Sequence, residues 1–289
     1  MIILNFDGEI KEKLCATVGT FDGLHLAHKF IINLTINTSK FLETKSAIFA
    51  FVEHIYRNKD LILTKDEKIE MLKKIPLDYL ILLGKDTFSI RREEFLEILK
   101  KRFNVFWVVV GYNHRFGYMK EGNRTYLSEV LENFEFGLTI VPPIKLGNIE
   151  ISSSNIRKFI KSGEIEIANK LLGYNFFIEG KVIKGKGLGK KIGFPTANIY
   201  IPNAKIIPAL GIYASRTIID NSIFYSVSYV GEIVENHIFD FNENIYDKQI
   251  RVEFLKKISD VEKFESIENL RKKIEKDILR AREFFRLKV

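Results

Sequence analysis

The sequence has a single cysteine, Cys15. One thiol excludes an intrachain disulfide framework and any cysteine-based zinc cluster. Cys15 lies inside an apolar run, where it is expected to be a small buried hydrophobe. Long apolar runs are also lacking: nothing comes near the roughly 18 consecutive apolar residues of a membrane span. The opening stretch, Met1-Ile2-Ile3-Leu4-Asn5-Phe6-Asp7, has neither a basic region nor a long hydrophobic segment, which argues against a secretory signal and for a cytoplasmic chain. Internal repeats and low-complexity tracts are absent. A net charge of +8, from 45 basic and 37 acidic residues, favours anionic ligands. Yet the basic residues are spread along the chain, without the aromatic-interleaved basic stretch of a nucleic-acid reader. Small anionic molecules are therefore the expected partners, rather than nucleic acid or a membrane.

What is there reads as two domains, as 289 residues allow. Strands are expected at Leu14–Val18, Ala47–Val52, Tyr79–Leu83, Val105–Val110 and Leu138–Val141. Between them lie helical patterns. Phe30, Ile31 and Leu34 mark one; a capping box at Thr64 and Glu67 opens another, with Ile69, Leu72 and Ile75 inward. Glu93–Lys101 buries Phe95, Leu96 and Leu99, and Arg124–Asn133 makes a fourth. This alternation predicts an α/β fold with a doubly wound parallel sheet, whose ligands bind beyond the carboxyl ends of the strands. A short helix, Glu164–Leu172, ends at Gly173. From Phe176 the apolar runs are β-branched and aromatic without long helices between them: Phe176–Ile183, Gly211–Ile219, Ile223–Val230, His237–Phe241 and Ile250–Ile258. They predict a small antiparallel β-barrel. A closing helix from Ser266 carries Ile267, Leu270, Ile274, Ile278, Ala281 and Phe285 as an apolar stripe. The domains are expected at 1–173 and 174–289.

Several stretches carry chemistry. Val18-Gly19-Thr20-Phe21-Asp22-Gly23-Leu24-His25-Leu26-Ala27-His28 places a glycine-bearing turn between a strand and a helix start, where free N–H groups favour an anion. His25 and His28, three apart, share a face and can donate to phosphate oxygens. Gly111-Tyr112-Asn113-His114-Arg115-Phe116-Gly117 follows a strand and mixes aromatic, amide and arginine groups, which suits a flat heteroaromatic ligand with a phosphate tail. Ile151-Ser152-Ser153-Ser154-Asn155-Ile156-Arg157 opens a helix with hydroxyls and an arginine. Gly180 to Lys186 fits only the start of a Walker A loop; Gly187 follows where Ser or Thr is required, so it is not one. Gly185 to Asn198 joins a glycine- and lysine-rich flap to the turn Gly193-Phe194-Pro195-Thr196-Ala197-Asn198. Thr196 and Asn198 there can offer neutral oxygen ligands to Mg²⁺.

Together these motifs resemble the prokaryotic bifunctional riboflavin kinase/FMN adenylyltransferase (FAD synthetase) family over residues 14 to 280. Gly19–His28 is similar to its G-x-F-D-G-x-H-x-G-H signature, with Ala27 in place of the glycine between the histidines. Ile151–Arg157 matches its I-S-S-S-x-I-R, and Gly193–Asn198 its G-F-P-T-A-N. The 111–117 loop is similar to its flavin-side loop, with His114 in place of an aromatic that is usually phenylalanine. The resemblance implies a nucleotidyltransferase domain followed by a kinase barrel, with ATP, riboflavin and FMN as substrates and Mg²⁺ as cofactor. It implies that His25, His28 and Arg157 serve adenylyl transfer beside Gly19, Phe21, Asp22, Gly23, Ser153 and Ser154, with Asn113 and Arg115 toward FMN. In the barrel it implies Gly193, Thr196 and Asn198 at ATP–Mg²⁺, and Glu235, in Val234–Phe241, as the base toward the riboflavin 5′-hydroxyl. The riboflavin side departs from the family pattern at the short Gly231–Val234 segment, Tyr229, Tyr246-Asp247 and Ser259. A monofunctional FMN adenylyltransferase with a degenerate barrel and a non-catalytic flavin-binding protein are the alternative readings.

Overall fold

The computed structural model describes residues 1–52, 60–185, 187, 189, 192–231, 233–262 and 264–287, with the side chains of 131–134 excepted. Lys186, Leu188, Lys190 and Lys191 of the expected flap lie outside the described residues. The chain divides into two compact units, Met1–Ser153 and Ser154–Val289.

The first unit runs β1 (Ile2–Asn5), β2 (Leu14–Gly19), α1 (Leu26–Phe41), β3 (Lys45–Phe51), α2 (Lys65–Lys73), β4 (Tyr79–Leu83), α3 (Arg92–Lys101) and β5 (Val105–Gly111). Two residue pairs, β6 (Arg115–Phe116) and β7 (Gly122–Asn123), form a small hairpin before α4 (Arg124–Phe134) and β8 (Gly137–Val141). A second small hairpin, β9 (Lys145–Leu146) and β10 (Ile149–Glu150), precedes α5 (Ser153–Ser162). The six long strands form one parallel sheet in the order β1-β4-β3-β2-β5-β8.

Alternation along β2 explains the layers. Leu14, Ala16 and Val18 face a core closed by Phe95, Leu96 and Leu99 of α3 and Leu127 of α4. Cys15 faces the other way, with Val109 and Val141, under Ile31 and Leu34 of α1. Burial pushes its thiol up to about 12, so it is inert at neutral pH, as expected of a core residue. From β2 the chain winds outward through β3 to β4, then crosses back to β5 and β8. The winding therefore reverses between β2 and β5, and a crevice opens beyond their carboxyl ends.

The helix expected at Thr64 forms with both halves of its capping box, but its buried face differs. Glu67, Lys68 and Leu72 are the buried residues, while Ile69 and Ile75 are only half-buried. The edge strand β1 was not expected; its four residues are largely exposed and are held by pairing to β4.

In the second unit, α5 and α6 (Ile165–Leu172) precede a closed barrel. Its strands are β11 (Phe177–Ile183), β12 (Ala197–Ile199), β13 (Gly211–Ile219), β14 (Ser222–Val230), β15 (Val234–Ile238) and β16 (Gln249–Ser259), ordered β11-β12-β15-β14-β13-β16. All their pairings are antiparallel. Asn169 of α6 ties the helix to the barrel: its amide donates to the Phe254 carbonyl at 2.8 Å and accepts from the Phe176 N–H at 2.7 Å. The last helix, α7 (Ile267–Phe284), is capped by Ser266 and lays Ile278 and Ala281 on Ala214 and Val227. Ile267, expected in its apolar stripe, is instead exposed in the first turn. The strand expected at His237–Phe241 is shifted to Val234–Ile238, because Asn236, a polar residue, takes an inward position that composition alone assigns to an apolar one. Strand β12 is only three residues long, too short for an alternation signal.

Candidate functional site

The loop after β2 is built from strained backbone. Phe21, Gly23 and Leu24 all have positive φ, at 45°, 87° and 36°. For Phe and Leu this is an unfavourable region that neighbouring contacts must enforce. Several do. Asp22 is buried, and its carboxylate accepts the N–H groups of Ile62 at 3.1 Å and Leu63 at 3.2 Å. Its carbonyl accepts the Ser153 hydroxyl at 2.7 Å. Gly23 sits so close to Ile62 that a Cβ would lie 3.0 Å from that side chain. The ring of Phe21 folds back over Gly19 at the end of β2. Lys68, fully buried, donates to the carbonyls of Thr20 at 2.8 Å and Phe51 at 2.9 Å, so one ammonium joins the ends of β2 and β3.

This loop delivers His25 to the N-cap of α1. The His28 N–H donates to His25 Nδ1 at 3.3 Å, so that nitrogen is unprotonated and the neutral His25 ring carries its proton on Nε2. The two imidazoles lie parallel, with centroids 3.6 Å apart. Phe21 closes the edge of His28, ring to ring at 5.3 Å. Burial, with the neighbouring His25 and the Lys68 charge, holds His28 well below the ordinary histidine range. Its Nδ1 is enclosed and has no hydrogen-bond partner among the described residues. Buried polar atoms left without partners are uncommon, and those that occur call for an explanation. The arrangement is a pair of neutral donors at a helix N-terminus, suited to a phosphate.

Beyond β5, residues 111–114 form a turn closed by the His114 N–H on the Gly111 carbonyl at 3.0 Å. Asn113 and Arg115 are exposed, whereas Phe116 is buried. His114 stacks on Phe116 at 5.6 Å, and burial pushes its imidazole down to about 4. It thus presents a neutral aromatic ring against Phe116. The hairpin that follows is anchored by Arg92, whose guanidinium lies 3.9 Å from the Tyr126 ring centre and whose N–H donates to Glu121. Loops from β2 and β5 therefore border the same crevice of the first unit.

Ser153 is the first residue of α5, with Ser154 exposed beside it and Arg157 four residues on, half-buried. Spacing of four places Ser153 and Arg157 on one side of the helix.

In the barrel, Asn198 and Glu235 are directly opposed on β12 and β15. The Thr196 hydroxyl donates to Glu235 Oε2 at 3.2 Å. Asn198 is nearly buried against the backbone of Gly185, where a Cβ would lie 2.2 Å from its amide nitrogen. Gly193, with φ of 95°, makes the turn into this segment. His237 Nδ1 lies 2.8 Å from the Pro195 carbonyl, so that nitrogen carries the proton and fixes the turn from below. Glu235 and His237, both outward on β15, thus grip the Pro195–Thr196 turn. The segment between β14 and β15 is tight, with the Gly231 N–H on the Ile233 carbonyl at 3.1 Å and the Tyr229 ring over Gly231; residue 232 lies outside the described residues. Ser259 bonds to Asp277 and Lys273 of α7.

Sequence reasoning missed Lys68 and His237 as parts of these sites. The only signal for Lys68 was its place four residues before Leu72 on the helix face that turns inward. For His237 the signal was its period-2 partnership with Glu235.

A parallel sheet with a phosphate-suited helix start, followed by a closed barrel with an oxygen-lined turn, defines a two-part nucleotide-using protein. A family model for FAD synthetase matches residues 7–155 and one for riboflavin kinase matches residues 172–285. The chain is 30% identical to the bifunctional riboflavin kinase/FMN adenylyltransferase of Bacillus subtilis, covering 96% of this chain and 94% of that one. It is 32% identical to the protein of the same description from Haemophilus influenzae, covering 94% of each. A crystal structure described as a macrolide-efflux protein from Streptococcus pneumoniae superposes with a TM-score of 0.85 at 27% identity, over 98% of this chain and 99% of that one. Among the described residues no helix is long and apolar enough to cross a membrane. The chain belongs to the bifunctional riboflavin kinase/FMN adenylyltransferase family.

Proposed function

We propose that the chain makes FAD in two steps, with residues 174–289 phosphorylating riboflavin to FMN and residues 1–173 adenylylating FMN. The chain acts in the cytoplasm on small molecules. In the first step the riboflavin 5′-hydroxyl oxygen attacks the γ-phosphorus of ATP, the bond to the β-phosphate oxygen breaks and ADP leaves. Glu235 takes the hydroxyl proton. In the second step an FMN phosphate oxygen attacks the α-phosphorus of ATP in line, and pyrophosphate leaves. No enzyme nucleophile is needed. His25, His28, Ser153, Ser154 and Arg157 act by positioning and by donating to oxygens on which charge grows. Gly19, Phe21 and Gly23 shape the phosphate-facing loop, and Asp22 holds it through Ile62 and Leu63. Asn113 and Arg115 face the flavin nucleotide.

The observation that carries the reading is the neutral, parallel His25–His28 pair at the start of α1, at the reversal of the sheet. Mg²⁺ fits the barrel site. The Thr196 proton is directed to Glu235, which leaves the hydroxyl's lone pairs for a hard cation, and Asn198 stands opposite. Among the described residues no cluster of three or more His, Cys, Asp or Glu could hold a metal ion; in this reading nucleotide phosphates and water supply its other ligands. When bound, Mg²⁺ neutralises charge on the transferring phosphoryl group.

Product separation after incubating the full chain with riboflavin, ATP and Mg²⁺ tests both steps. Successive FMN and FAD are expected. FAD from supplied FMN but none from riboflavin would leave the adenylyltransferase alone, and no FAD from either would overturn the reading.

A further inference from the structure

The barrel interior is not wholly apolar. Ser215 and Thr217 of β13, Ser226 and Ser228 of β14 and Asn236 of β15 are all at most 1% exposed. They satisfy one another. The Ser215 hydroxyl shares hydrogen bonds with those of Ser226 and Ser228, each at 2.8 Å. The Thr217 hydroxyl donates to Asn236 Oδ1 at 2.7 Å and lies 2.9 Å from the Ser226 hydroxyl, from which it can accept. The Asn236 amide donates to Ser228 at 2.8 Å and Ser226 at 3.1 Å. Asn236 is the one member from β15; it donates to the adjacent strand β14 and accepts from β13, one strand further on.

A buried polar cluster contributes less to stability than apolar packing of the same volume, so its use here needs a reason. The reason lies on the other face of β15. That strand has five residues, with Val234, Asn236 and Ile238 inward and Glu235 and His237 outward. A slip of one residue would turn Glu235 and His237 into the core, and burial alone forbids it. A slip of two keeps every residue on its face, so hydrophobic alternation does not oppose it. It would move Glu235 about 7 Å along the strand, away from Thr196 and Asn198. It would also put Val234 or Ile238 among four hydroxyls that need the amide. The polar network opposes that slip from inside the barrel, as the Glu235–Thr196 and His237–Pro195 contacts and the tight turn before Val234 do from outside.

We propose that Asn236 is a positioning residue for the kinase step, its network with Ser215, Thr217, Ser226 and Ser228 locking the register that sets Glu235 beside Thr196. The proposal rests on the reading of Glu235 as the base. It is tested in the full chain with Asn236→Leu, and with Thr217→Val as the milder change should the first fail to fold. Three readouts are taken: riboflavin phosphorylation, FAD formation from supplied FMN, and cross-strand nuclear Overhauser contacts between Asn198 and Glu235.

In Asn236→Leu, kcat for phosphorylation should fall about a hundredfold, the scale of ångström-level misplacement. The KM for ATP should change little and FAD formation should be kept. The Asn198–Glu235 contacts should weaken or give way to a second set. Thr217→Val should shift kcat and the Asn198–Glu235 contacts the same way by less. A merely structural role would lower the melting temperature while leaving kcat per folded molecule and the contacts unchanged; that result in both variants would overturn the proposal. Failure of the underlying reading looks different: Glu235→Gln would then phosphorylate normally, whatever the register readout shows.

Discussion

The imidazoles of His25 and His28 lie parallel at 3.6 Å, and the backbone N–H of the second is bound to Nδ1 of the first. One side chain therefore does two things: it caps α1, and by giving up Nδ1 to the backbone it fixes its own proton on Nε2. His28, desolvated beside it and near Lys68, stays neutral as well. The pair can donate to phosphate without bearing charge of its own, and the cationic character of the site falls to Lys68 and, in the proposed mechanism, Arg157.

Removing either proposed donor should affect one reaction only. His28→Ala and Arg157→Ala are each expected to lower FAD formation from FMN by tens to thousands of fold, the equivalent of roughly 2–4 kcal/mol for one transition-state donor. Formation of FMN from riboflavin should be unchanged. Equal loss of both activities would mean the assignment of the two reactions to residues 1–173 and 174–289 is wrong.

Lys68→Met deletes the ammonium that joins Thr20 and Phe51. Two buried carbonyls lose a charged donor, so the first unit should lose about 1–3 kcal/mol in denaturant unfolding. Adenylyl transfer should fall with it, because the loop carrying the histidines loses its support. Lys68→Arg should not restore the rate, since a planar fork does not fit where a compact ammonium bridges two carbonyls. A normal rate in Lys68→Met would make the lysine dispensable to the site.

At the barrel site, Glu235→Gln should abolish riboflavin phosphorylation, because an amide cannot take the hydroxyl proton. FAD formation from supplied FMN should persist. Thr196→Val removes a hydroxyl that supports Glu235 and that we assign to Mg²⁺, so the Mg²⁺ concentration for half-maximal kinase rate should rise. An unchanged Mg²⁺ titration would remove Thr196 from the metal site.

Acid should weaken the fold through histidine. His28, His114 and His237 all titrate below the ordinary value of 6.5, each chiefly because of burial, and His114 is held at about 4. Below 6.5 the unfolded chain binds protons that the folded chain refuses, so stability is complete above that value and declines as pH falls toward the lowered ones. For His114 the loss runs between 6.5 and about 4. Melting temperatures measured from neutral to about pH 5 should fall, and His114→Phe, which keeps an aromatic ring on Phe116, should flatten the slope. An equal slope in that variant would show that His114 is not excluded from protonation.

The sequence by itself determined most of the elements and the chemistry-bearing stretches. Strands β4 and β13 were legible as short runs rich in apolar, β-branched and aromatic residues, and the inward residues of α3 because a 3.6-residue period of apolar side chains reports local geometry directly. The loop at Gly19–His28, the helix start at Ser153 and the Pro195–Asn198 turn were legible because glycines, prolines and hydroxyls mark them within ten residues. What only the tertiary structure decided depends on partners far apart in the chain. Asp22 reads as a ligand-facing carboxylate, yet it is turned to Ile62 and Leu63, whose N–H groups no local pattern places near it. Lys68 reads as a solvated helix lysine, yet closure of the sheet brings two strand ends within reach of one ammonium. Asn236 reads as an interruption of a strand, and its inward position follows only when the barrel closes and brings four hydroxyls around it. Periodicity encodes which side of an element faces the core, but what waits there is set by long-range packing.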